Sequence, residues 1–457
     1  MTSTTPPPTP SVLRLAAPLI FSFWFRAAFQ WVDTIYASTL DSLGDASIAA
    51  IGLTAPFDFL MIACWVGTSN GLTSRLAAAM GAREGAKVDQ LLASTRKILK
   101  WVQIAFLVLA AVIYVSAHSV GLDPAVAGQF QIYGAVLLGG MGITAFWSVI
   151  PDSLVKAHND TRSTMWAGLI STVINFALNS LFVFVFHWGI FGIALATVLA
   201  RLGGLVYALR QAQRHEDARR GSGRDVETGL FERPTRAILA LAVPAGLSFA
   251  LMAIETFAIN SLLAARENSA ATLAAFAIID RAGRFLMMPV IAVGVALLPL
   301  CARLWGAKDF AGIRRELRTG VLASIGYTLV FTLPLTVLLG PWVAEGLTDS
   351  PAAQVSARAG LRLVAVLVLF GAPTFLLRSA FDGMQQPRPG LIASTLRTFV
   401  FTLPLAALGL HFAPELGLEE IEGLVLGSAL GAGLATALLA SWMNGFLRRE
   451  CPLEAEG

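Results

Sequence analysis

The chain has 457 residues, of which 56% are hydrophobic and only 14% charged, and its mean hydropathy is +0.70. A soluble domain carries about 45–50% apolar and about 25% charged residues, so this composition excludes a soluble enzyme, a disordered chain and a typical nucleic-acid binder. The net charge of +4, with a pI near 9.1, fits basic loops between membrane spans better than a nucleic-acid surface. At about 20 residues per span plus a short loop there is room for roughly 12 to 14 spans.

The first residues, MTSTTPPPTPSVLR, are polar and Pro-rich and predict a disordered tail over 1–11 rather than a cleaved signal peptide. Apolar runs follow at 12–38, 46–79, 98–116, 129–155, 164–186 and 189–209. They resume at 236–264, 271–303, 319–344, 357–384, 391–411 and 423–446. Runs such as IAFLVLAAVIYV (104–115) do not alternate, which argues for helices rather than barrel strands. The expected fold class is an all-α polytopic membrane protein of twelve transmembrane helices. An N-lobe over 12–209, a charged linker over 210–235, a C-lobe over 236–447 and a tail over 448–457 divide the chain. The Gly-containing linker is expected to hinge.

Loop charges give the orientation. One side carries Arg83, Lys87, Arg96, Lys97, Lys100, Lys156 and Arg162, the Arg-rich 210–236 stretch, Arg303 to Arg318, and Arg388 and Arg397. On the other side Arg266 is the single basic residue found. Both termini and the linker are therefore expected in the cytoplasm, and the chain in the cell (inner) membrane.

The halves repeat at an offset of 225 to 227. RLAAPLIFSF (14–23) matches LALAVPAGLSFA (239–250), and Phe59-Leu60-Met61 falls on Phe285-Leu286-Met287. LAAAMGARE (76–84) matches CARLWGAKD (301–309), and DSLVKAHNDTR (152–162) matches RSAFDGMQQPR (378–388). Two parallel six-helix bundles related by an axis along the membrane normal are typical of alternating-access carriers, which bind at the repeat interface.

Each charge within a span costs several kcal/mol, about 2.5–3.5 on insertion scales, and needs a reason. The intramembrane charges are Arg26, Asp33, Asp58, Asp152, Glu255, Asp280, Arg281, Arg284, Arg378 and Asp382. Asp280 with Arg284, Asp382 with Arg378, and Asp152 with Lys156 stand four apart and can neutralise one another. Asp33, Asp58 and Glu255 have no such partner on their own helices and are the stronger functional candidates. The repeat sets Asp58 opposite Arg284 and Asp152 opposite Arg378, acid in the first half where the second has base. Polar stripes (Arg26, Gln30, Asp33; Thr144, Ser148, Asp152; Thr172, Asn175, Asn179) support an inward face in the first half. Pro151 is expected to kink its helix.

Other signals are weak. GTSNG (67–71) matches GxSxG but lies in a helical run, where Gly67 and Gly71 serve close helix packing. Cys64, Cys301 and Cys451 suggest neither a disulfide framework nor a metal site. Without a nucleotide-binding motif, energy must come from an ion gradient or a partner.

The ordered features resemble the multidrug and toxic compound extrusion (MATE) family, of the MOP superfamily and its DinF-like prokaryotic branch. They are AAPLIFSFWFRAAFQWVDTIYAS in the first helix, Gly81-Ala82-Arg83 and Gly306-Ala307-Lys308 ending the second and eighth, KAHNDTRSTMWAGLISTVINFALN, and GIFGIALATVLARL. The resemblance covers nearly the whole chain. It implies a cation-coupled antiporter, not an enzyme and without a cofactor, exporting cationic or amphipathic small molecules in exchange for H+ or Na+. The family's first-helix acid falls on Asp33, its fifth-helix polar pair on Asn175 and Asn179, and a sixth-helix Thr on Thr197. Na+ at Asp33, Asn175 and Asn179 is the metal this implies. Related chains often carry an acid where this one has Asn179, and Asp152 could compensate. A C-lobe site of another branch would use Glu255, but its partner falls near Gly371, which leaves that site incomplete. The alternative reading is a lipid-linked oligosaccharide flippase of the same superfamily, which Arg26, Arg281, Arg284 and Arg378 would suit. The expected partners are the substrate and the lipid bilayer, with no nucleic acid, and the chain is expected to act as a monomer.

Overall fold

The computed structural model describes residues 11–28, 32–40, 43–119, 122–223, 225–226, 229–266, 269–348 and 350–450. Nearly all of both expected tails, together with Gln30, the side chain of Arg26 and Cys451, lie outside the described residues. Among the described residues every regular element is helical. The first half comprises α1 (Val12–Ala28), α2 (Val32–Ser38), α3 (Gly44–Gly81), α4 (Gly85–Ser119), α5 (Pro124–Ala157), α6 (Thr161–Val185) and α7 (Gly189–Gly221). The second comprises α8 (Pro234–Ala264), α9 (Ser269–Gly306), α10 (Phe310–Leu347), α11 (Pro351–Gly383), α12 (Pro387–Phe412) and α13 (Glu420–Glu450). Ten are long and apolar enough to cross a membrane, and α3, bent by 40° at Pro56, makes eleven. The shorter α1, with α2, occupies the place of the remaining expected span. Helices are the spanning form that satisfies all its backbone groups within one segment.

Proline accounts for the interruption in α5. Pro151 has no N–H to offer the carbonyl of Trp147, and the regular helix breaks at Ser148. The freed turn is stitched from outside by Trp65, whose indole N–H donates to the Ala145 carbonyl at 3.0 Å.

The repeat is written in the backbone. Arg83 and Lys308 adopt φ of 61° and 59°, Asn159 and Gln385 φ of 60° and 63°, all left-handed. Non-glycine residues enter this region uncommonly. Each pair is separated by the 225 or 226 residues read from the sequence. All four close the same turn, with the N–H one residue further on reaching back to the carbonyl five residues earlier (Glu84 to Ala79, Asp160 to Val155, Asp309 to Leu304, Gln386 to Phe381).

The packing does not divide at the middle of the chain. Val12, Leu15, Ala16 and Leu19 of α1 belong to a core with Val290, Val293 and Leu297 of α9, and the Val12 N–H donates to buried Glu316 of α10 at 2.8 Å. Reciprocally, Ile238 of α8 joins the first-half core. The stretch expected as a hinge is largely fastened. α7 continues to Gly221 instead of ending near 209, the Val226 N–H donates to the Arg83 carbonyl at 2.8 Å, and Gln90 makes both backbone bonds of Phe231. His158 and His215 stack beside it, bonded to Glu216 and Asp160 respectively. Burial alone would lift the Asp160 carboxyl, but hydrogen bonds from Ser163 and His215 outweigh it and hold the group below its ordinary value.

The lobes meet at the basic end. Gly67 of α3 lies against α8, where a Cβ would stand 2.5 Å from the Ala242 carbonyl oxygen. Further down, a Cβ on Gly81 would strike the Arg303 carbonyl, and one on the equivalent Gly306 would strike the Ala78 carbonyl. Arg303 and Ala78 are themselves repeat equivalents, so α3 and α9 straddle the pseudo-twofold axis. The contact is sealed by Ser74 Oγ donating to the Asp382 carbonyl at 2.7 Å and Arg303 Nη1 to the Ala157 carbonyl at 3.3 Å. Further along α3, a Cβ on Gly246 of α8 would stand 2.9 Å from the Ala63 carbonyl oxygen. Beyond it, toward Gly44, Phe59, Leu60 and Ile62 are exposed.

Gly81→Ala and Gly306→Ala should each destabilise this closed end by about 1–3 kcal/mol, the usual cost of overpacking. Spin labels on the exposed, repeat-equivalent Ala86 and Ala311 should then show a longer-distance population. Unchanged distance distributions in both variants would refute the clasp.

Candidate functional site

Three elements of the first half converge on Asp33 of α2. Thr197 of α7 donates from Oγ1 to Oδ2 at 2.9 Å. Asn179 of α6 donates from Nδ2 to Oδ1 at 3.2 Å. Tyr133 of α5 reaches Oδ2 at 3.5 Å, the long limit of a hydrogen bond. Asn175, one turn before Asn179 on the same face of α6, donates to Thr197 Oγ1 at 3.0 Å and so orients that hydroxyl. Asn179 is 0% exposed, and its Oδ1 has no hydrogen-bond partner among the described residues. An unpaired buried amide oxygen costs about 1–3 kcal/mol. Asp33, Asn175, Asn179 and Thr197, expected together from the sequence, are thus brought together.

The other candidates are placed differently. Asp58 of α3 borders the cluster without joining its hydrogen bonds. Its Oδ1 is buried without a hydrogen-bond partner among the described residues, and the charges of Arg201 and Asp33 act on it through space. Asp152 does not take over from Asn179. Its carboxylate is held by Lys156 at 2.5 Å and Thr164 at 3.1 Å, with the ammonium over the Trp65 ring. Glu255, without a basic neighbour on its own helix, finds Arg397 of α12 at 2.8 Å and Thr398 at 2.9 Å. These two residues open a π-helical turn, Arg397–Thr402, which aims successive side chains at one carboxylate. Asp280 pairs with Arg284 at 2.5 Å, and Asp382 stands 3.8 Å from Arg378, as the four-residue spacings predict. Among the described residues no group of three or more His, Cys, Asp or Glu side chains is placed to hold a metal ion.

Tyr133, Arg201 and Arg397 were missed by sequence reasoning. A tyrosine in a mainly apolar span and an arginine five residues past the GIFGIALA run were the available signals. Neither names its partner, because the partners come from other helices.

The fold and site define a twofold-repeated membrane carrier with a polar pocket in one lobe. Comparison with known proteins places it more closely. The MatE family profile matches residues 18–181 and 244–408, two copies whose starts lie one repeat apart. The chain belongs to the MatE family of multidrug transporters. It is 26% identical over 416 residues to the "Probable multidrug resistance protein NorM" of Bradyrhizobium diazoefficiens, covering 87% of this chain and 83% of that one. It is 23% identical over 437 residues to a protein of Shewanella oneidensis named "FAD transporter", covering 91% and 90%. The crystal structure of the Vibrio cholerae MATE transporter VcmN in its bent form superposes with a TM-score of 0.83 at 25% identity, over 96% of this chain and 97% of that one.

Lys156→Met strands a buried carboxylate and should cost about 3–5 kcal/mol, whereas Asp152→Asn with Lys156→Met should recover most of it. Thermal unfolding in detergent reads this. Equal loss in the single and double variants would show that the pair is not the source.

Proposed function

We propose that this protein is a cation-coupled antiporter that exports cationic or amphipathic small molecules, with Asp33 as the coupling carboxylate. One observation carries the reading. Asp33 is bound by hydroxyl and amide donors, and beside it a fully buried amide oxygen, Asn179 Oδ1, lacks a hydrogen-bond partner among the described residues. A proton on Asp33, or a Na+ between the two residues, would give that oxygen a partner. The pocket therefore favours a bound cation. Among the described residues it does so without the standing ion pair that holds Glu255 or Asp152.

The coupling step follows from charge. Ionised Asp33 attracts a cationic substrate or Na+, and its protonation removes that attraction. The basic loops lie at the closed end, where α3 meets α8 and α9. By the positive-inside rule that end faces the cytoplasm, with both termini, in the inner membrane of the cell. The arrangement is then closed inward and open outward, the state in which substrate leaves and the coupling ion enters. Reopening at the cytoplasmic end would require the Gly81–Arg303 and Gly306–Ala78 approaches to part together.

The test is flux of a lipophilic cation in proteoliposomes under separately imposed H+ and Na+ gradients. Asp33→Asn should fall to the leak rate. Thr197→Val, which removes one hydrogen bond to a charged group, should lose about 10–100-fold in kcat/KM. Whichever gradient drives the wild type names the ion. Near-normal gradient-driven flux in well-folded Asp33→Asn would overturn the assignment.

A further inference from the structure

The first turns of α8 carry two arginines with nothing to neutralise them. Arg233 and Arg236 are exposed, and among the described residues neither guanidinium has an ion-pair or hydrogen-bond partner. From residue 229 to residue 254 the one acid is Glu232, which is exposed and pairs with neither arginine. Asp225 of the linker is taken by Arg219 at 2.6 Å, and Asp89 of α4 by Arg220 at 2.8 Å. The two arginines line a cavity of ≈ 640 Å³ with Pro234, Thr235, Leu239 and Ala240. Its lining thus joins two cations to apolar side chains.

The helix explains which way this cavity looks. Arg236, Leu239, Ala240, Val243 and Leu247 are exposed and recur at helical spacing, so they form one stripe on α8. The opposite face of the same turns belongs to the closed end. There Ile238, Leu241, Ala242 and Ala245 are buried, and Gly67 and Gly71 of α3 press against Ala242. With the lobes shut at this level, the exposed stripe looks away from α3 and into the bilayer. From Arg236 to Leu247 it runs about 17 Å, about half of the roughly 30 Å hydrocarbon core. The stripe begins cationic at the cytoplasmic end and continues apolar toward the membrane centre. A phospholipid has the complementary order, an anionic phosphate followed by acyl chains. The cytoplasmic leaflet carries anionic lipids, and basic pockets at helix ends on that side suit their headgroups. Guanidinium forks match phosphate oxygens in geometry as well as charge.

We infer that this cavity binds one anionic phospholipid of the inner leaflet, its phosphate on Arg233 and Arg236 and an acyl chain along Leu239, Val243 and Leu247. The site is remote in the fold from the Asp33 cluster and does not depend on the transport reading. A zwitterionic lipid brings a cation of its own to the two arginines and is the weaker ligand.

Native mass spectrometry of the full chain in detergent tests this. The probes are phosphatidylglycerol, phosphatidylcholine with the same chains, and water-soluble glycerol 3-phosphate. Wild-type protein should bind a first phosphatidylglycerol more tightly than a first phosphatidylcholine, and glycerol 3-phosphate far more weakly than either. At about five-fold per arginine, Arg233→Gln with Arg236→Gln should weaken the first phosphatidylglycerol about 25-fold and leave phosphatidylcholine within about two-fold. Ala240→Trp fills the cavity and keeps the charge, and it should weaken phosphatidylglycerol too. Arg96 and Lys97 of α4 are exposed basic residues outside the cavity. Arg96→Gln with Lys97→Gln removes the same charge and should leave the first phosphatidylglycerol within about two-fold. Equal affinity of the wild type for the two lipids overturns the inference, and so does equal loss in the two double variants, which would mean a diffuse basic surface. Glycerol 3-phosphate binding as tightly as phosphatidylglycerol overturns it in favour of a soluble anion. Should the first double variant misfold, unchanged phosphatidylglycerol affinity in Ala240→Trp overturns it by itself.

Discussion

A carboxylate inside an apolar helix bundle has three stable options: pair with a base, bind a mobile cation, or take a proton. The fold assigns these options residue by residue. Asp152, Asp280 and Glu255 are given bases, two from their own helices and one from across the lobe. Asp33 is given hydroxyl and amide donors instead. Such donors stabilise charge without cancelling it, which keeps the site open to an ion that comes and goes. The energetic distinction is large, because breaking a fixed buried pair costs several kcal/mol, whereas exchanging ions at a neutral-walled carboxylate does not require it.

Architecture converts that local choice into a possible cycle. The second helix of each half, with the opening helix of the other half, forms the closed end, and the closest approaches are made by glycines where any side chain would collide. The contact combines backbone on backbone at the glycines with the side-chain bonds of Ser74 and Arg303. The symmetry of the clasp contrasts with the asymmetry of charge. Asp58 corresponds to Arg284 in the repeat, and Asp152 with Lys156 corresponds to Arg378 with Asp382 in reversed order. The turns are alike in the two halves, and the charges are not.

Much of the site was legible because intramembrane polarity is rare enough to be informative. Asp33 declared itself by having no basic residue on its own turns, and Asn175, Asn179 and Thr197 by family resemblance and helical spacing. The i, i+4 pairs were legible because helical geometry fixes that contact. Glu255 is the instructive contrast. It met the same criterion as Asp33, yet Arg397, 142 residues away in sequence, is bonded to it. Solitude on one helix does not predict solitude in a bundle. Asp152 had two readings in the sequence, a partner at the ion site or a pair with Lys156, and the structure holds it to Lys156 and Thr164.

The sequence by itself determined the membrane class, the spans, the six-plus-six duplication and the orientation rule, because each follows from composition or periodicity along the chain. Tertiary structure alone decided which carboxylates are neutralised, that α1 and α8 pack into each other's lobes, that the supposed hinge is pinned by Val226 and Phe231, and which end is shut. These depend on distances between helices, which close contact sets and no spacing within one helix encodes.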